Sequence, residues 1–211
     1  DLCAAYQRVL DRDGASLDAA QRKLLENALR DFRLAGVSLP ADRKQRFGQV
    51  MERLATVQAK FDENVLDATN AWSRHVVAEV ELAGLPANTV QRARQAAEAA
   101  GQSGWLLSLD APNYQAVMTH AESETLRREF YQAWVTRASD QGPHAGQWDN
   151  SPLMAEILAL RSEAANLVGF ANFAEYSIAT KMAHRTDEVL DFLRELARVS
   201  RPAAKREFAE V

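Results

Sequence analysis

The most regular part of the sequence is residues 150–183, which read NSPLMAEILALRSEAANLVGFANFAEYSIATKMA. Ser151 is a good N-cap residue, and Pro152 falls at the first helical position, where its missing N–H costs nothing. Gly169 can end the helix, because glycine adopts the left-handed conformation without a steric penalty. Apolar side chains at three- and four-residue steps give this predicted helix one buried face: Leu153, Met154, Ile157, Leu158, Ala164, Leu167 and Val168.

A second helix is predicted directly after Gly169. Asn172 and Glu175 have the spacing of a capping box, in which each side chain bonds to the backbone N–H of the other residue. We expect this helix to continue through Tyr176 to Met182 and to pack back on the first helix. The two predicted helices on either side of Gly169 indicate a helical scaffold, and we expect similar helices around them.

Towards the N-terminus, three more helices are predicted. The first covers the opening residues, and the second is capped by Ser16 and ends near Gly36. The third starts at Leu39–Pro40 and keeps one apolar face for roughly seven turns, as far as Trp72. Its apolar side mixes aromatic and aliphatic residues of different sizes, which favours packing inside a globular bundle over a coiled coil.

The hydrophobic pattern changes after the long helix. The Val76–Val80 segment is rich in β-branched residues, which predicts an extended segment or a short strand. Trp105–Leu109 is a short apolar run between glycines and a proline, and it predicts a buried strand. These two segments are the simplest partners for each other, across a predicted helix at residues 86–100. If the strands were parallel, their connection should be a right-handed crossover.

The remaining sequence predicts helices separated by one long loop. A short helix follows Pro112, and Ser123 caps the next one. Residues 139–151, SDQGPHAGQWDNS, form a polar loop with glycines and a proline. Thr186 can cap a last helix, which Arg201–Pro202 should interrupt because proline lacks a backbone donor.

Composition argues against several classes of protein. The 211 residues carry a net charge of −4, which disfavours general binding to nucleic acids or to membrane surfaces. No apolar run approaches the roughly 20 residues needed to cross a bilayer, and no signal-peptide pattern is present. Cys3 is the only cysteine, so an internal disulfide framework is excluded and a reducing compartment fits.

These patterns predict a mainly α fold, a multi-helix bundle-like array with one small two-strand β element. We expect residues 1–211 to form a single α-helical fragment of a larger protein, since both ends fall inside helical patterns. A sub-boundary is expected near residues 74–86, between the long N-terminal helices and the later helices.

The histidines are the first candidates for metal ligands or catalytic bases. None of the four lies four residues from another, so the H-E-x-x-H pattern that holds zinc on one helix face is absent. His75 and Glu79 share a face only loosely in an extended segment, and a partly exposed pair is the simpler interpretation. His144 lies in the polar loop, where a contact with a ligand competes with the default of a plain surface loop. The other two are His120 and His184.

Other catalytic patterns are absent as well. The sequence contains no phosphate loop of the G-x-x-x-x-G-K-[ST] or G-x-G-x-x-G type and no G-x-S-x-G nucleophile elbow. Cys3 has no partner nearby in sequence and is best interpreted as a small buried hydrophobe. We therefore assign no catalytic residue and no metal ligand, and the residues that bind substrate stay unknown.

Four stretches, taken in order along the chain, resemble the thimet-oligopeptidase family of zinc metallopeptidases, and most closely its bacterial oligopeptidase A branch. The stretches are ELAGLP at 81–86, LLSLDAPNYQAVM at 106–118, RREFYQAWVTRASDQGP at 127–143 and WDNSPLMAEILALRSEAANLVGFANFAEYSIATKMA at 148–183. The likeness covers nearly the whole chain and depends on several ordered motifs, none of which would be specific alone.

The resemblance implies a larger, mostly helical, two-lobed metallopeptidase in the cytoplasm, with a deep channel that admits only short peptides. It also implies a zinc ion held by an H-E-x-x-H helix and a later glutamate, all on the C-terminal side of the part present here. The sequence ends before any such motif, so no catalytic or metal residue carries over. Zinc is therefore expected in the full-length parent and not on this chain.

Three hypotheses for function follow. The first is a non-catalytic portion of a zinc-dependent oligopeptidase, which forms channel wall and scaffold and is inactive alone. The second is an independent α-helical protein-interaction module, and the third, less favoured, is a coiled-coil structural protein. An H-E-x-x-H motif further along the reading frame would support the first, whereas a natural stop codon near Val211 would support the second. We also expect the fragment to self-associate through apolar faces meant for a missing lobe.

Overall fold

The computed structural model describes residues 2–210, and this part of the chain is mainly helical with one two-stranded antiparallel sheet. The predicted fold class is confirmed. Two short 3-10 turns, Gly14–Ser16 and Glu79–Leu82, accompany the regular elements. In chain order these elements are α1 (Leu2–Asp13), α2 (Ala19–Leu34), α3 (Ala41–Ala71), β1 (Ser73–Val76), α4 (Ala87–Ala99), β2 (Trp105–Ser108), α5 (Ala111–His120), α6 (Glu124–Val135), α7 (Ser151–Leu167), α8 (Phe173–Ile178) and α9 (Thr186–Ala209).

The chain divides into two compact units. Unit 2 is Ala55–Ile157, and unit 1 consists of the chain up to Leu54 together with the chain from Leu158 onwards. The divisions fall inside α3 and α7, whereas residues 74–86 lie within unit 2. The expectation of a single helical fragment with a sub-boundary near 74–86 stays a prediction.

The N-terminal helices of unit 1 begin differently from the sequence prediction. Ser16 does not cap α2; it lies in the 3-10 turn before it, and its hydroxyl donates to the Asp13 carbonyl. Asp18 caps the helix instead, in a capping box with Gln21 in which each side chain bonds the backbone N–H of the other residue. Asp18 is the better N-cap because Gln21 lies three residues later and completes a capping box.

The core of unit 1 lies between α3 and α7. Phe47 and Val50 of α3 pack with Ala164 of α7 and with Val168 just beyond its end, which confirms the predicted apolar face on this part of α7. At the edge of this contact the Arg46 guanidinium binds the Glu163 carboxylate through two hydrogen bonds of 2.6 and 2.8 Å.

The turn after α7 confirms the predicted stop but shortens the predicted second helix. Gly169 has a φ of +89°, and the Asn172 side chain accepts a hydrogen bond from the Glu175 backbone N–H. The following helix α8 ends at Ile178, so the prediction that it reaches Met182 is wrong. Met182 is 95% exposed. A longer helix would therefore gain no stability from burying this side chain.

The last helix also differs from its prediction in two ways. Thr186 is the first residue of α9 and its hydroxyl donates to the Glu175 carboxylate, while Arg185 occupies the N-cap position. The helix runs through Pro202 to Ala209, so the predicted interruption is wrong. A proline inside a helix removes one hydrogen bond, but the helical pattern on both sides of it is strong enough to continue.

The sheet of unit 2 confirms the predicted pairing and fixes its direction. β1 and β2 are antiparallel, with Ser73 opposite Ser108 and Val76 opposite Trp105, so no right-handed parallel crossover is needed. β1 covers Ser73–Val76, so the strand predicted at Val76–Val80 is wrong except for Val76 itself. The chain forms the 3-10 turn Glu79–Leu82 where the prediction placed the end of that strand.

The core of unit 2 forms between this sheet and the helices that follow it. Phe130 of α6 is fully buried and meets the Trp72 ring edge-on, with 4.8 Å between the ring centroids. Ser123 caps α6 as predicted, since its hydroxyl oxygen accepts from the Leu126 backbone N–H. The fully or almost fully buried residues of this cluster are Val76, Leu107, Leu109, Val117, Leu126 and Phe130.

Candidate functional site

The polar loop that the sequence marks at residues 139–151 is held in one conformation by its ends. Gly142 has a φ of +82°, and a Cβ built there would lie 1.9 Å from the Thr136 hydroxyl oxygen. The Ser139 hydroxyl donates to the Thr136 carbonyl, and the Gly146 N–H donates to the Ser139 carbonyl. The loop is therefore folded back against the end of α6.

A buried amide pair ties the end of this loop to the rest of unit 2. The Asn64 side chain donates to the Asn150 side-chain oxygen at 2.8 Å, and the Asn150 amide donates to the Phe61 carbonyl at 3.1 Å. The Asn150 backbone N–H and C=O are also used, by the Ala138 carbonyl and the Met154 N–H. Asn150 is 1% exposed, and its hydrogen-bonding groups all have partners, so this pair serves structure.

His144, the candidate ligand residue of the loop, is half-buried in the structure. Its ring meets the Trp148 ring edge-on, with 5.5 Å between the centroids. The nearby Asp149 carboxylate accepts hydrogen bonds from the Ser151 N–H and hydroxyl, which lowers the pKa of Asp149. Asp149 thus serves the start of α7, while the predicted contact of His144 with a ligand stays a prediction.

Beside the loop, three side chains form a stack that the sequence analysis missed. Tyr114 of α5 lies flat on Trp134 of α6, and the Arg137 guanidinium covers the same tryptophan at 3.6 Å from its centroid. Arg137 also donates to the Thr69 hydroxyl and to the Trp134 carbonyl. Burial lowers the pKa of Arg137. Arg137 is held by stacking on Trp134 and by two neutral hydrogen-bond acceptors, without a carboxylate partner in the described part of the chain. We therefore interpret the stack as a structural contact within unit 2.

The remaining histidines and the cysteine lie apart from these features. The His75 ring nitrogen Nε2 is 2.6 Å from the Ser103 carbonyl, which joins the ends of the hairpin-like pair of strands. His120 is the last residue of α5, and the backbone N–H of His184 donates to Glu188. Cys3 is half-buried on α1.

Next to His75, Arg74 is the centre of an ion-pair network. Its guanidinium binds the Glu81 carboxylate at 3.0 Å and the Glu129 carboxylate at 2.7 Å. The network links β1 to the nearby 3-10 turn and to α6, which is distant in sequence. Opposite charges at these positions could not be assigned to each other from the sequence, because no periodic pattern relates them.

Unit 1 carries an open groove with an apolar lining, about 700 Å³ in volume. Leu34 of α2, Phe47 and Met51 of α3, and Phe173 and Tyr176 of α8 form its walls. The Tyr176 hydroxyl donates to the Leu34 carbonyl at 3.1 Å and so holds α8 beside the end of α2. Burial raises the pKa of Tyr176 above its usual 10.0. The groove offers apolar contact to a ligand but brings no acid and base together.

Metal-binding clusters and membrane-spanning helices are both absent from the described residues. Within residues 2–210, no three histidine, cysteine, aspartate or glutamate side chains are grouped so that they could hold a metal ion. The donor set of a zinc site does not fit this part of the chain. Across the same residues, no helix combines the length and apolarity that a membrane crossing requires.

Comparison with known proteins gives a consistent set of relatives. Oligopeptidase A of Salmonella typhimurium is 50% identical over 208 residues, which is 98% of this chain, and that of Escherichia coli is 49% identical over 211 residues. A probable cytosolic oligopeptidase A of Arabidopsis thaliana is 38% identical over 191 residues, or 86% of this chain and 26% of the plant protein. The chain spans 31% of the length of the two bacterial proteins.

The family model for peptidase family M3 matches residues 117–211, which include α6, α7, α8 and α9. The similarity to oligopeptidase A extends this match through the preceding helices and the small sheet, to 98–100% of the chain. The chain therefore belongs to peptidase family M3, in the group of thimet oligopeptidase and oligopeptidase A.

Proposed function

We propose that this chain is a non-catalytic portion, channel wall and scaffold, of a zinc-dependent oligopeptidase that hydrolyses short peptides. The observation that carries the proposal is the 49–50% identity to two bacterial proteins named oligopeptidase A over almost every residue of the chain. Identity at this level over both units supports a shared fold and a shared role for this region.

The side-chain chemistry of the chain supports a scaffold role. Asn150 and Arg74 have their polar groups bonded within unit 2, and Arg137 is stacked and bonded, so these buried or half-buried polar residues stabilise the fold. The sequence has no H-E-x-x-H motif, and its four histidines are widely separated. Zinc and the catalytic residues would therefore come from another part of the full-length parent.

A channel wall needs rigid helices and surfaces that accept peptide. The apolar groove formed by α2, α3 and α8 supplies such a surface in unit 1. The polar loop of unit 2 supplies a second one, rigidly held by Gly142 and Asn150. Both surfaces can contact a peptide without taking part in bond cleavage.

The test is a peptidase assay with short internally quenched peptides. The chain alone, incubated with zinc, should give no cleavage above the blank, while the full-length parent should give turnover that a chelator abolishes. Chelator-sensitive turnover by the chain alone would contradict the non-catalytic assignment. A parent without peptidase activity would contradict the oligopeptidase assignment.

A second candidate function is an independent α-helical protein-interaction module. The exposed apolar side chains of α9 favour it, because Phe192 is 65% exposed and Leu196 is 54% exposed. A reading frame that continues into an H-E-x-x-H motif supports the peptidase, and a natural stop codon near Val211 supports the module.

The partners follow from the first proposal. Short peptides are the substrates of the parent, in the cytoplasm, and nucleic acids and membranes are not partners, in line with the net charge of −4. The fragment is further proposed to self-associate through its exposed apolar faces. Sedimentation at high concentration tests this, since a monodisperse monomer would contradict it.

A further inference from the structure

We propose that unit 2 binds one ordered water molecule in a small cleft beside the polar loop, and that this water bridges the His144 ring to the Arg137 guanidinium. His144 is the loop residue for which the sequence predicts a contact with a ligand, and the water supplies that ligand from inside the fold. Three observations carry the proposal: the residues that form the cleft, its size, and the hydrogen-bonding groups in its lining. The proposal is independent of the peptidase assignment.

The cleft lies between the polar loop and two helices of unit 2. Ala68 of α3 and Ala133 of α6 contribute to its lining, together with Pro143 and His144 of the loop. All of these residues fall within the range of unit 2, residues 55–157. The cleft is therefore formed within this chain, and further chain in a longer parent would only enclose it more.

The size of the cleft limits the ligand that it can hold. The centre of a water molecule has about 10 Å³ of space in the cleft. A single bound water needs roughly 10–15 Å³ of such space. A chloride ion is larger than a water molecule, and an amino-acid side chain is larger still. The cleft therefore has room for one water and for no larger ligand.

The lining of the cleft is polar enough to hold a water molecule. A buried water needs at least two hydrogen-bond partners, whereas a cavity with a purely apolar lining stays dry. Thr136, Arg137 and His144 bring a hydroxyl, a guanidinium and an imidazole to the lining. The cleft thus offers partners from the end of α6 and from the loop.

Arg137 keeps hydrogen-bond donors that no protein group uses. Its Nε donates to the Trp134 carbonyl at 3.0 Å and its Nη1 donates to the Thr69 hydroxyl at 3.2 Å. A guanidinium has five N–H donors, so the Nη2 group is still available to a water. Burial lowers the pKa of Arg137, because the cation has lost part of its hydration. A bound water restores a part of that hydration.

His144 and Thr136 supply the other partners of the water. The His144 ring meets the Trp148 ring edge-on, and within the described residues neither ring nitrogen forms a hydrogen bond. A neutral imidazole has one donor and one acceptor nitrogen, so either can bond to water. The Thr136 hydroxyl donates to the Gln132 carbonyl at 2.6 Å and keeps its lone pairs as acceptors. The water therefore joins the middle of the loop to the end of α6.

A high-resolution crystal structure of the full-length parent tests the site directly. One density peak should lie within hydrogen-bond distance of both the His144 ring and the Arg137 guanidinium. A cleft without such a peak would overturn the proposal. Crystals soaked in sodium bromide distinguish water from an anion, because an anomalous peak at this position would show that Arg137 binds an anion and would also overturn the proposal.

Variants of His144 in the same protein test what the water does. His144→Phe keeps a ring against Trp148 but removes a partner of the water. Hydrogen exchange of the backbone amides at residues 144–147 should become about fivefold faster, which is the effect of one lost hydrogen bond. His144→Gln keeps a polar group that can bond to the water, and its loop should exchange more slowly than that of His144→Phe. Mass spectrometry of the loop peptide measures both effects.

The control is His120→Phe, at the exposed end of α5. This variant should leave the exchange of the loop unchanged. Equal exchange in the wild type and in His144→Phe would overturn the proposal. Equal acceleration in His144→Gln and His144→Phe would show that packing of the imidazole holds the loop without a water, and would overturn the proposal as well.

Discussion

Among single residues, Asn150 joins several segments of unit 2 through hydrogen bonds. Its side chain and backbone bond to residues of α3, of the loop start and of α7. A buried amide is stable only when every donor and acceptor has a partner, and here each one has. The end of the polar loop is therefore held in place by hydrogen bonds within unit 2.

Replacing Asn150 with alanine should lower the free energy of unfolding by about 1–3 kcal/mol, because the Asn64 amide and the Phe61 carbonyl lose their partner in a buried place. Chemical denaturation measures the loss. Asn70→Ala is the matched control, since Asn70 is exposed on α3 in the same unit. Equal stability of the two variants would show that water replaces the lost bonds.

Gly142 and Gly146 allow a controlled test of the loop. Both have positive φ, at +82° and +76°, so alanine at either position costs about 1–2 kcal/mol of backbone strain. Gly142→Ala should cost more, because its Cβ would also overlap the Thr136 side chain, whereas the space around Gly146 is open. The difference between the two unfolding free energies measures this overlap, and a difference of zero would show that Thr136 moves aside.

Tyr176 predicts a dependence of stability on alkaline pH. Burial raises the pKa of Tyr176 in the folded state above 10.0, so the neutral side chain stabilises the fold below pH 10 and this contribution is lost as pH rises through the folded-state pKa. Tyr176→Phe should be less stable at pH 8, by about 1 kcal/mol for the lost bond to Leu34, and should lose less stability above pH 10. Tyr131→Phe, at an exposed site, is the control. Parallel alkaline curves for wild type and Tyr176→Phe would contradict the assignment.

At the scale of elements, the accuracy of the sequence prediction depended on how local the cause was. The bounds of α3, α4 and β2 follow from hydrophobic spacing and flanking breakers, and the structure confirms them to within a residue or two. The extent of α8 could not be predicted from its sequence pattern, which continues past Ile178. Within the described chain, residues 180–182 have no neighbouring surface to pack against, and this is visible only in the structure. The predicted cap of α2 was Ser16, but Asp18 caps the helix because it forms a capping box with Gln21.

Pro202 marks a weak point inside α9. Its ring leaves the Arg198 carbonyl without the usual donor, and Pro202→Ala should stabilise the second half of the helix locally, by up to about 3 kcal/mol. Hydrogen exchange of the amides after residue 202 should slow. Pro152→Ala is the control, because a proline in the first turn of α7 costs little and its replacement should change exchange little. Unchanged exchange after residue 202 would show that the proline costs α9 nothing.

At the scale of the whole molecule, the proposed self-association through exposed apolar side chains predicts that stability depends on concentration. A chain that buries apolar side chains only when it associates should melt at a higher temperature as its concentration rises. We expect this shift for the wild-type chain, recorded by circular dichroism at several concentrations. A melting temperature independent of concentration would contradict the proposed self-association.

The sequence by itself determined the helical class, the order of the elements, the position of β2 and the family resemblance, because these depend on local spacing and on motifs. Only the tertiary structure decided the antiparallel direction of the strands, the Asn64–Asn150 pair and the stack of Tyr114, Trp134 and Arg137. Such contacts join residues that are distant in sequence. A pattern of apolar residues predicts that one face of a helix is buried, but it does not identify the residues that cover this face. The same limit applies to α9, whose apolar side chains are exposed in the folded chain and whose sequence does not say what would cover them.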